Sequence, residues 1–318
     1  MSNRHRIFFV TDIHGSERCF RKFINAAKFY KAQSLILGGD ITGKVMIPIV
    51  NQGNGRWVAD YLGETKEFSK EEKVTEFGKN LAEGGIYTIT LTRAEYDEMQ
   101  ARRESIDKAF SETIRSSLER WLELASTRLK DTGAKCYISV GNDDDVIVDE
   151  VLNKSEDNVV SCEEKIVHIG GHEMISFGTS NRTPWNSPRE ADEPVLKAKL
   201  DGMASKLERP EQAIFSIHVP PIDSGIDAAP MVDDNFKPVM KGGQPVMIPA
   251  GSSAVREIIE KYKPLVGLHG HIHESRGIYK LGRTICINPG SEYGQGILRG
   301  AIVDLEDNKV ADYLLVSG

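Results

Sequence analysis

The side chains best suited to bind a metal or move a proton fall into five short segments. They read Asp12-Ile13-His14, Gly39-Asp40, Gly141-Asn142-Asp143-Asp144, His218 and Gly270-His271-Ile272-His273. Each segment follows an apolar run with the length of a buried strand: Ile7 to Val10, Leu35 to Leu37, Cys136 to Val140, Ile214 to Ile217 and Leu265 to Leu268. A sheet that gathers strand ends along one edge brings all five together, which is where α/β proteins place their active sites. The donors are oxygens and imidazoles, with no thiolate. That set suits Mn, Fe or Zn at a catalytic centre better than a closed structural zinc site. His5, His168, His172 and His269 lie outside these motifs and are expected to be hydrogen-bonded structural residues.

The elements that must hold these groups can be read from periodicity. A helix is predicted from Glu17 to Lys31, with Phe20, Phe23, Ile24, Ala27 and Phe29-Tyr30 roughly at helical spacing. From Lys44 to about Leu91 the rhythm changes. Ile47 to Val50, a turn at Asn51 to Gly55 and Trp57 to Tyr61 suggest a hairpin. A charged helix from Lys70 to Ala82 and a strand from Ile86 to Leu91 follow. The whole is read as one domain, residues 1–318, with an insertion or cap at about 44–91 beside Asp40. The insertion is expected to tune substrate choice and to be replaceable without loss of metal; surface decoration away from the site, or an oligomer contact, is the alternative. Thr92 to Lys130 reads as one long helix with a stripe through Ile106, Phe110, Ile114, Leu118, Trp121, Ala125 and Leu129. Core packing accounts for that stripe, and its polar N-terminal end leaves a homodimer contact open. Pro194 to Leu207 is a further helix. Pro220 to Gly251, rich in Pro, Gly and Asp, is a long loop and therefore expected to face the substrate. The chain ends in short strands, Gly277 to Lys280, Thr284 to Ile287, Leu298 to Leu305 and Val310 to Val316, which suggest a second sheet. Asn288 to Ser291 and Gly294 to Gly296 lack the Lys-Ser or Lys-Thr of a phosphate loop and are read as support for the His271/His273 turn.

Composition sets bounds. The 318 residues carry a net charge of -7, which argues against general nucleic-acid binding, since that needs a basic face. It leaves room for nucleotides, because metal ions attract phosphate locally. The 4 cysteines form no C-x-x-C pair and are expected to be buried thiols in a reducing compartment. The N-terminal apolar run is too short for a signal-peptide core, and no stretch has the length of a membrane span, so a cytoplasmic protein is expected.

The order and content of the five segments resemble the calcineurin-like metallophosphoesterases, whose pattern is D-x-H, G-D, G-N-H-(D/E), a lone His and G-H-x-H. The match runs from Asp12 to His273. A shorter stretch, Gly178-Thr179-Ser180-Asn181-Arg182-Thr183-Pro184-Trp185 with Pro188-Arg189-Glu190, is similar to the Icc-related group of predicted phosphoesterases. By residue pattern alone it is a loop leading into the acidic first turn of a helix.

The resemblance implies two mixed β-sheets packed face to face and flanked by helices. It also implies two divalent metal ions, one held by Asp12, His14, Asp40 and His273 and the other by Asp40, Asn142, His218 and His271. Hydrolysis of a small-molecule or nucleotide phosphate ester by a metal-bound hydroxide would follow. Asn142, Asp143 and Asp144 are the candidate catalytic residues. Asp143 departs from the pattern, because the family usually has His there. As a free carboxylate it would repel a phosphate dianion more than a diester monoanion, and the lost imidazole removes a proton donor. Phosphodiesters are therefore expected over monoesters. Asp144 is expected to orient Asn142 or a metal ligand. A monoesterase or protein phosphatase of the same fold, or a non-catalytic metal-binding interaction module, are the alternatives.

Overall fold

A computed structural model describes residues 4–154 and 158–318. Two six-stranded sheets form its centre. The first runs in the order Lys309–Ser317, Arg299–Glu306, His5–Val10, Ser34–Gly38, Lys135–Ser139, Val159–Ser161. The second runs Gly277–Leu281, Thr284–Asn288, Val266–Leu268, Ile214–Ile217, His172–Phe177, Ile166–Ile169. Both are mixed: the central pairings are parallel and the flanking ones include antiparallel strands.

The period-two alternation of strand side chains builds four layers. Ile7, Phe9 and Ile36 point between the sheets and meet Met174, Ile214, Val266, Leu268 and Ile287. Phe8, Val10, Leu35 and Leu37 point outward, where Phe20, Phe23, Leu118 and Trp121 of the helices Glu17–Phe29 and Arg103–Leu129 cover them. On the far side, Phe215 and Ile217 pack under Leu196 and Leu200 of Glu193–Ala204 and Val255 and Ile259 of Ser253–Tyr262. Strands buried on both faces explain why these segments read as unbroken apolar runs. All four cysteines are buried and free.

Residues 45–92 form a separate four-stranded sheet, ordered Glu64–Phe68, Arg56–Tyr61, Val45–Gly53, Ile86–Thr92, with the helix Glu71–Glu83 beside it. Its own small core centres on Ile49, Ala59 and Val74.

Three sequence expectations are corrected. The long helix is two helices, Arg93–Ala101 and Arg103–Leu129, separated by Arg102 in an extended conformation (φ -139°, ψ 116°). The first packs against the strands at 45–53 and 86–92 and buries Met99, while the second packs on Glu17–Phe29, so two directions are needed where one helix offers a single axis. The final hairpin, Arg299–Glu306 and Lys309–Ser317, joins the first sheet beside His5–Val10 rather than the second. Glu190 lies in a short strand, and the helix that follows starts at Glu193 with Pro194 in its first turn.

Phe20 and Trp121 stack with ring centroids 4.1 Å apart, and the buried Trp121 Nε1 has no hydrogen-bond partner. Trp121→Ala should cost about 3–5 kcal/mol through the cavity it leaves. Trp121→Phe keeps the stack and removes the unpaired donor, so it should cost under about 1 kcal/mol. Equilibrium denaturation of both variants checks this; equal losses would show that the ring stack is not the stabilising contact.

Candidate metal centre

All five donor segments end at one edge of the paired sheets, because each leaves the C-terminal end of a central parallel strand. The turns are tight. Asp12 (φ 53°), His14 (φ 38°), Asp40 (φ 48°) and His271 (φ 66°) all adopt left-handed backbone conformations, a strained state that clusters at functional sites. Gly39 precedes Asp40 at φ 104°; a Cβ there would lie 2.6 Å from His218 Nδ1 and 2.7 Å from the Val140 carbonyl oxygen. Only glycine lets these three segments close on one another.

Within the cluster, Asp12, His14 and His273 present donor atoms within 4.8 Å of one another, as do Asp12, Asp40 and His218, and His14, Asp40 and Asp143. Asp12 and Asp40 therefore each reach two donor groups. His14 Nε2 lies 3.6 Å from Asp40 Oδ2 and His273 Nε2 lies 3.4 Å from Asp12 Oδ1. His218 Nε2 sits between Asp12 Oδ1 at 3.7 Å and Asp40 Oδ2 at 3.5 Å. Asn142 Oδ1 is 2.7 Å from His271 Nδ1, and the His271 ring stands edge-on to His218 with centroids 5.5 Å apart.

Several features of these side chains fit a cation. His14 Nε2 and His273 Nε2 point at each other across 3.1 Å, a contact between two lone-pair-bearing atoms unless one carries a proton or a metal lies beside them. His218 donates Nδ1–H to the Gly38 carbonyl at 2.9 Å, which turns Nε2 toward the carboxylates, where it has no hydrogen-bond partner. A ring nitrogen fixed by a backbone carbonyl, with the other nitrogen turned inward, is how proteins orient metal-binding imidazoles.

Electrostatics agrees. Burial opposes every charge here, yet Asp40 and Asp12 push the His218 imidazole up to about 10. Burial and the neighbouring His218 charge hold His271 down at about 3, leaving it neutral and able to donate a lone pair. Burial raises Asp40 to about 6, against the pull of His218.

Further contacts hold the loops. Thr11 Oγ1 donates to Asp12 Oδ2 at 2.7 Å, and the His271 backbone N–H donates to the same carboxylate. Asn288 Nδ2 donates to the Ile272 carbonyl at 2.9 Å, and Ser291 Oγ donates to the Asp12 carbonyl at 2.5 Å. The Asn288 to Ser291 turn thus supports the His271/His273 loop.

One of the candidate catalytic residues is revised, and another acts through the loops it joins. Asp144 bonds the backbone next to Asp40 and next to Asn142, the orienting place expected from the sequence. It is fully buried and accepts from Thr42 N at 2.9 Å, Thr42 Oγ1 at 2.7 Å, Ile41 N at 3.1 Å and Gly141 N at 2.8 Å, tying the Asp40 loop to the Asn142 loop. Asp143 does reach the cluster, but it is not a free carboxylate. It is ion-paired to Lys44 and accepts from Ser187 Oγ and from Asn142 Nδ2. Burial would raise its pKa, but the Lys44 charge and these hydrogen bonds outweigh it and hold Asp143 at about 2. The expected repulsion of a phosphate dianion is therefore cancelled by the lysine.

Sequence reading missed Lys44, Ser187 and Arg189. Arg189 donates Nε–H to the Asp144 carbonyl at 2.8 Å and Nη2–H to the Asp145 carbonyl at 3.0 Å, clamping the third loop from outside. Its place in the 178–190 stretch was the one available signal. The other four histidines are held elsewhere: His5 by Ser34, His172 by the Gln212 carbonyl and His269 by the Ile217 carbonyl, while His168 is exposed.

The insertion does not merely adjoin the site. A Cβ on Gly85 would lie 2.1 Å from the His14 carbonyl oxygen, and Ser16 Oγ donates to the Glu83 carbonyl at 2.6 Å. Tyr87 Oη accepts from Gly43 N at 2.9 Å. Gly85 and Glu83 thus join the insertion to the His14 loop.

Over whole chains the structure superposes on a solved crystal structure with a TM-score of 0.58 at 16% identity, covering 98% of each chain. It superposes on TT1561 of Thermus thermophilus with a TM-score of 0.51 at 13% identity, covering 99% of this chain and 98% of that one. The fold is that of the calcineurin-like metallophosphoesterases. At these identities the likeness is one of fold. The uncharacterized protein MJ1162 of Methanocaldococcus jannaschii is 32% identical over 143 residues, which is 44% of this chain and 58% of that protein, less than two thirds of its length. No family model matches the chain. Among the described residues no helix is long and apolar enough to cross a membrane.

Two outcomes follow. Asp40→Asn should abolish divalent-metal uptake in elemental analysis of reconstituted protein, since this carboxylate belongs to two donor groups; a wild-type metal content would contradict that. Metal uptake at neutral pH must also expel the His218 proton, because the imidazole is charged below about 10 in the metal-free protein. Affinity should therefore rise with pH through the neutral range, and calorimetry in buffers of different ionisation enthalpy should register proton release. No buffer dependence would mean that His218 is already neutral.

Proposed function

We propose that this chain is a metal-dependent phosphoesterase that acts on phosphodiesters in preference to monoesters. The observation that carries the reading is the convergence of Asp12, His14, Asp40, Asn142, His218, His271 and His273 from five strand ends, with Asp12 and Asp40 each within reach of two donor groups. Two divalent ions of Mn, Fe or Zn held there would supply Lewis-acid activation of water and neutralise charge on a phosphate ester. The protein supplies the rest. Asp12 and Asp40 hold the positive charge, with Asp40 shared. Asn142 contributes a neutral oxygen, which limits the negative charge facing an anionic substrate. The buried strand ends fix these groups before substrate arrives, so little reorganisation is left for the reaction.

What stands at position 143 bears on the leaving group, and the diester preference is carried from the sequence reading alone. Without an imidazole there, proton delivery to a departing alkoxide loses a general acid whose contribution is on the order of 10²–10⁴ in rate. Activated aryl esters, whose leaving group needs no proton, should suffer least. The Lys44–Asp143 pair favours a second reading, a monoesterase or protein phosphatase of the same fold, because it removes the electrostatic penalty against a dianion. In our reading residues 1–318 act as one domain, with the segment at about 44–91 as a cap that shapes the site.

The experiment is a screen of aryl and alkyl phosphate mono- and diesters on protein reconstituted with Mn, Fe or Zn, with Asp40→Asn as control. The reading predicts turnover of an aryl diester that chelation removes and metal restores. It also predicts a higher kcat/KM for the aryl diester than for the matching monoester, and a shift toward the monoester in Asp143→His. Turnover of monoesters alone would favour the second reading, and no turnover with a filled metal site would leave a binding module.

A further inference from the structure

The residue that departs from the motif pattern, Asp143, is immobilised on every side. Its backbone N–H donates to Asp40 Oδ1 at 2.9 Å, its Oδ1 accepts from Asn142 Nδ2 at 3.0 Å and from Ser187 Oγ, and its Oδ2 takes the Lys44 ammonium. The side chain of Asp143 lies within 4.8 Å of donor atoms on His14 and Asp40. Lys44 is therefore one side chain away from the donor cluster. Its backbone is fixed as firmly. The preceding Gly43 donates to Tyr87 Oη at 2.9 Å, and a Cβ on Gly43 would lie 2.4 Å from the Gly85 carbonyl oxygen. Yet the Lys44 side chain remains 42% exposed, and it lines a cavity of about 430 Å³ shared with Arg18, Tyr61, Asn80 and Tyr293. Tyr293 in turn lies against His14 with ring centroids 4.6 Å apart and the planes tilted by 50°, so one wall residue of the cavity touches the cluster.

An ammonium has three donors. Asp143 is the partner that its ion pairing supplies among the described residues, and the side chain is 42% exposed, so donor capacity is left at the edge of the cluster.

We propose that Lys44 binds a non-bridging oxygen of the substrate's phosphoryl group, with Asp143 as the residue that positions it. The ligand class is a phosphate or phosphate ester. The chemistry is a point charge on a flexible stem, the way lysines bind phosphate. The inference rests on the phosphoesterase reading, and it makes the inserted segment a direct contributor to phosphate recognition.

The test measures binding rather than turnover. Inorganic phosphate is titrated calorimetrically into Mn-reconstituted protein, wild type against Lys44→Gln, Lys44→Ala and Lys44→Arg, with metal content determined on each sample. Lys44→Gln and Lys44→Ala should keep the wild-type metal content and melting temperature and bind phosphate at least tenfold more weakly, while Lys44→Arg recovers most of the affinity. Wild-type phosphate affinity in Lys44→Gln overturns the proposal, as does loss of metal or fold in Lys44→Gln that Lys44→Arg repairs, because the pair would then be structural. Should wild-type protein take up no metal, the phosphoesterase reading fails by itself; the same comparison on metal-free protein then decides Lys44, and equal phosphate binding by wild type and Lys44→Gln overturns it.

Discussion

Two carboxylates, Asp12 and Asp40, are buried side by side at the seam of the two sheets, 1% and 2% exposed. Removing ionised carboxylates from water costs several kcal/mol each unless opposite charge or hydrogen bonds compensate. The surrounding architecture supplies that compensation in layers. Backbone N–H groups of His271 and Asp143 and the Thr11 hydroxyl bond the carboxylate oxygens, and four imidazoles converge on the same space. The pair raises the His218 pKa well above that of a free imidazole. Carboxylates that favour positive charge on a neighbouring imidazole are ones whose electrostatic cost a divalent cation would relieve.

The sandwich exists, in this view, to bring the ends of two sheets to one place. Asp12, Asp40 and Asn142 leave the first sheet, while His218, His271 and His273 leave the second. Neither sheet alone carries a complete donor set. The inter-sheet core of Ile7, Phe9, Ile36, Ile214 and Val266 is therefore also the element that sets the spacing between carboxylates and imidazoles. The inserted sheet at 45–92 extends the same logic. It supports the His14 loop through Gly85 and delivers Lys44 to Asp143.

What the sequence made legible were features with local causes. Ile214 to Ile217 can be read as a strand because a parallel strand buried on both faces is apolar at every position, and a donor placed directly after it inherits the strand's direction. The hairpin at 45–61 announced itself through its Asn-Gly turn residues. What escaped had non-local causes. Arg102 breaks a helix, yet its neighbours are good helix formers, and the break answers packing against a sheet elsewhere in the chain. The strand pattern at 299–317 gives a period but not a partner, so its pairing with His5–Val10 could not be read. Lys44, Ser187 and Arg189 meet the third motif only in space; no spacing links them to it. Asp144 could be read as an orienting residue from its place in the motif, but the partners through which it acts, Ile41 N, Thr42 and Gly141 N, come from two loops that only the fold brings together.

The central claim of the proposed function is that Asp40 would be shared between two ions. Electron paramagnetic resonance of the Mn-reconstituted protein tests it most directly, since ions roughly 3.5–4 Å apart across a common ligand are exchange-coupled. The account predicts a coupled spectrum at full loading that Asp40→Asn abolishes. A simple isolated-ion signal at saturation, unchanged in Asp40→Asn, would contradict it.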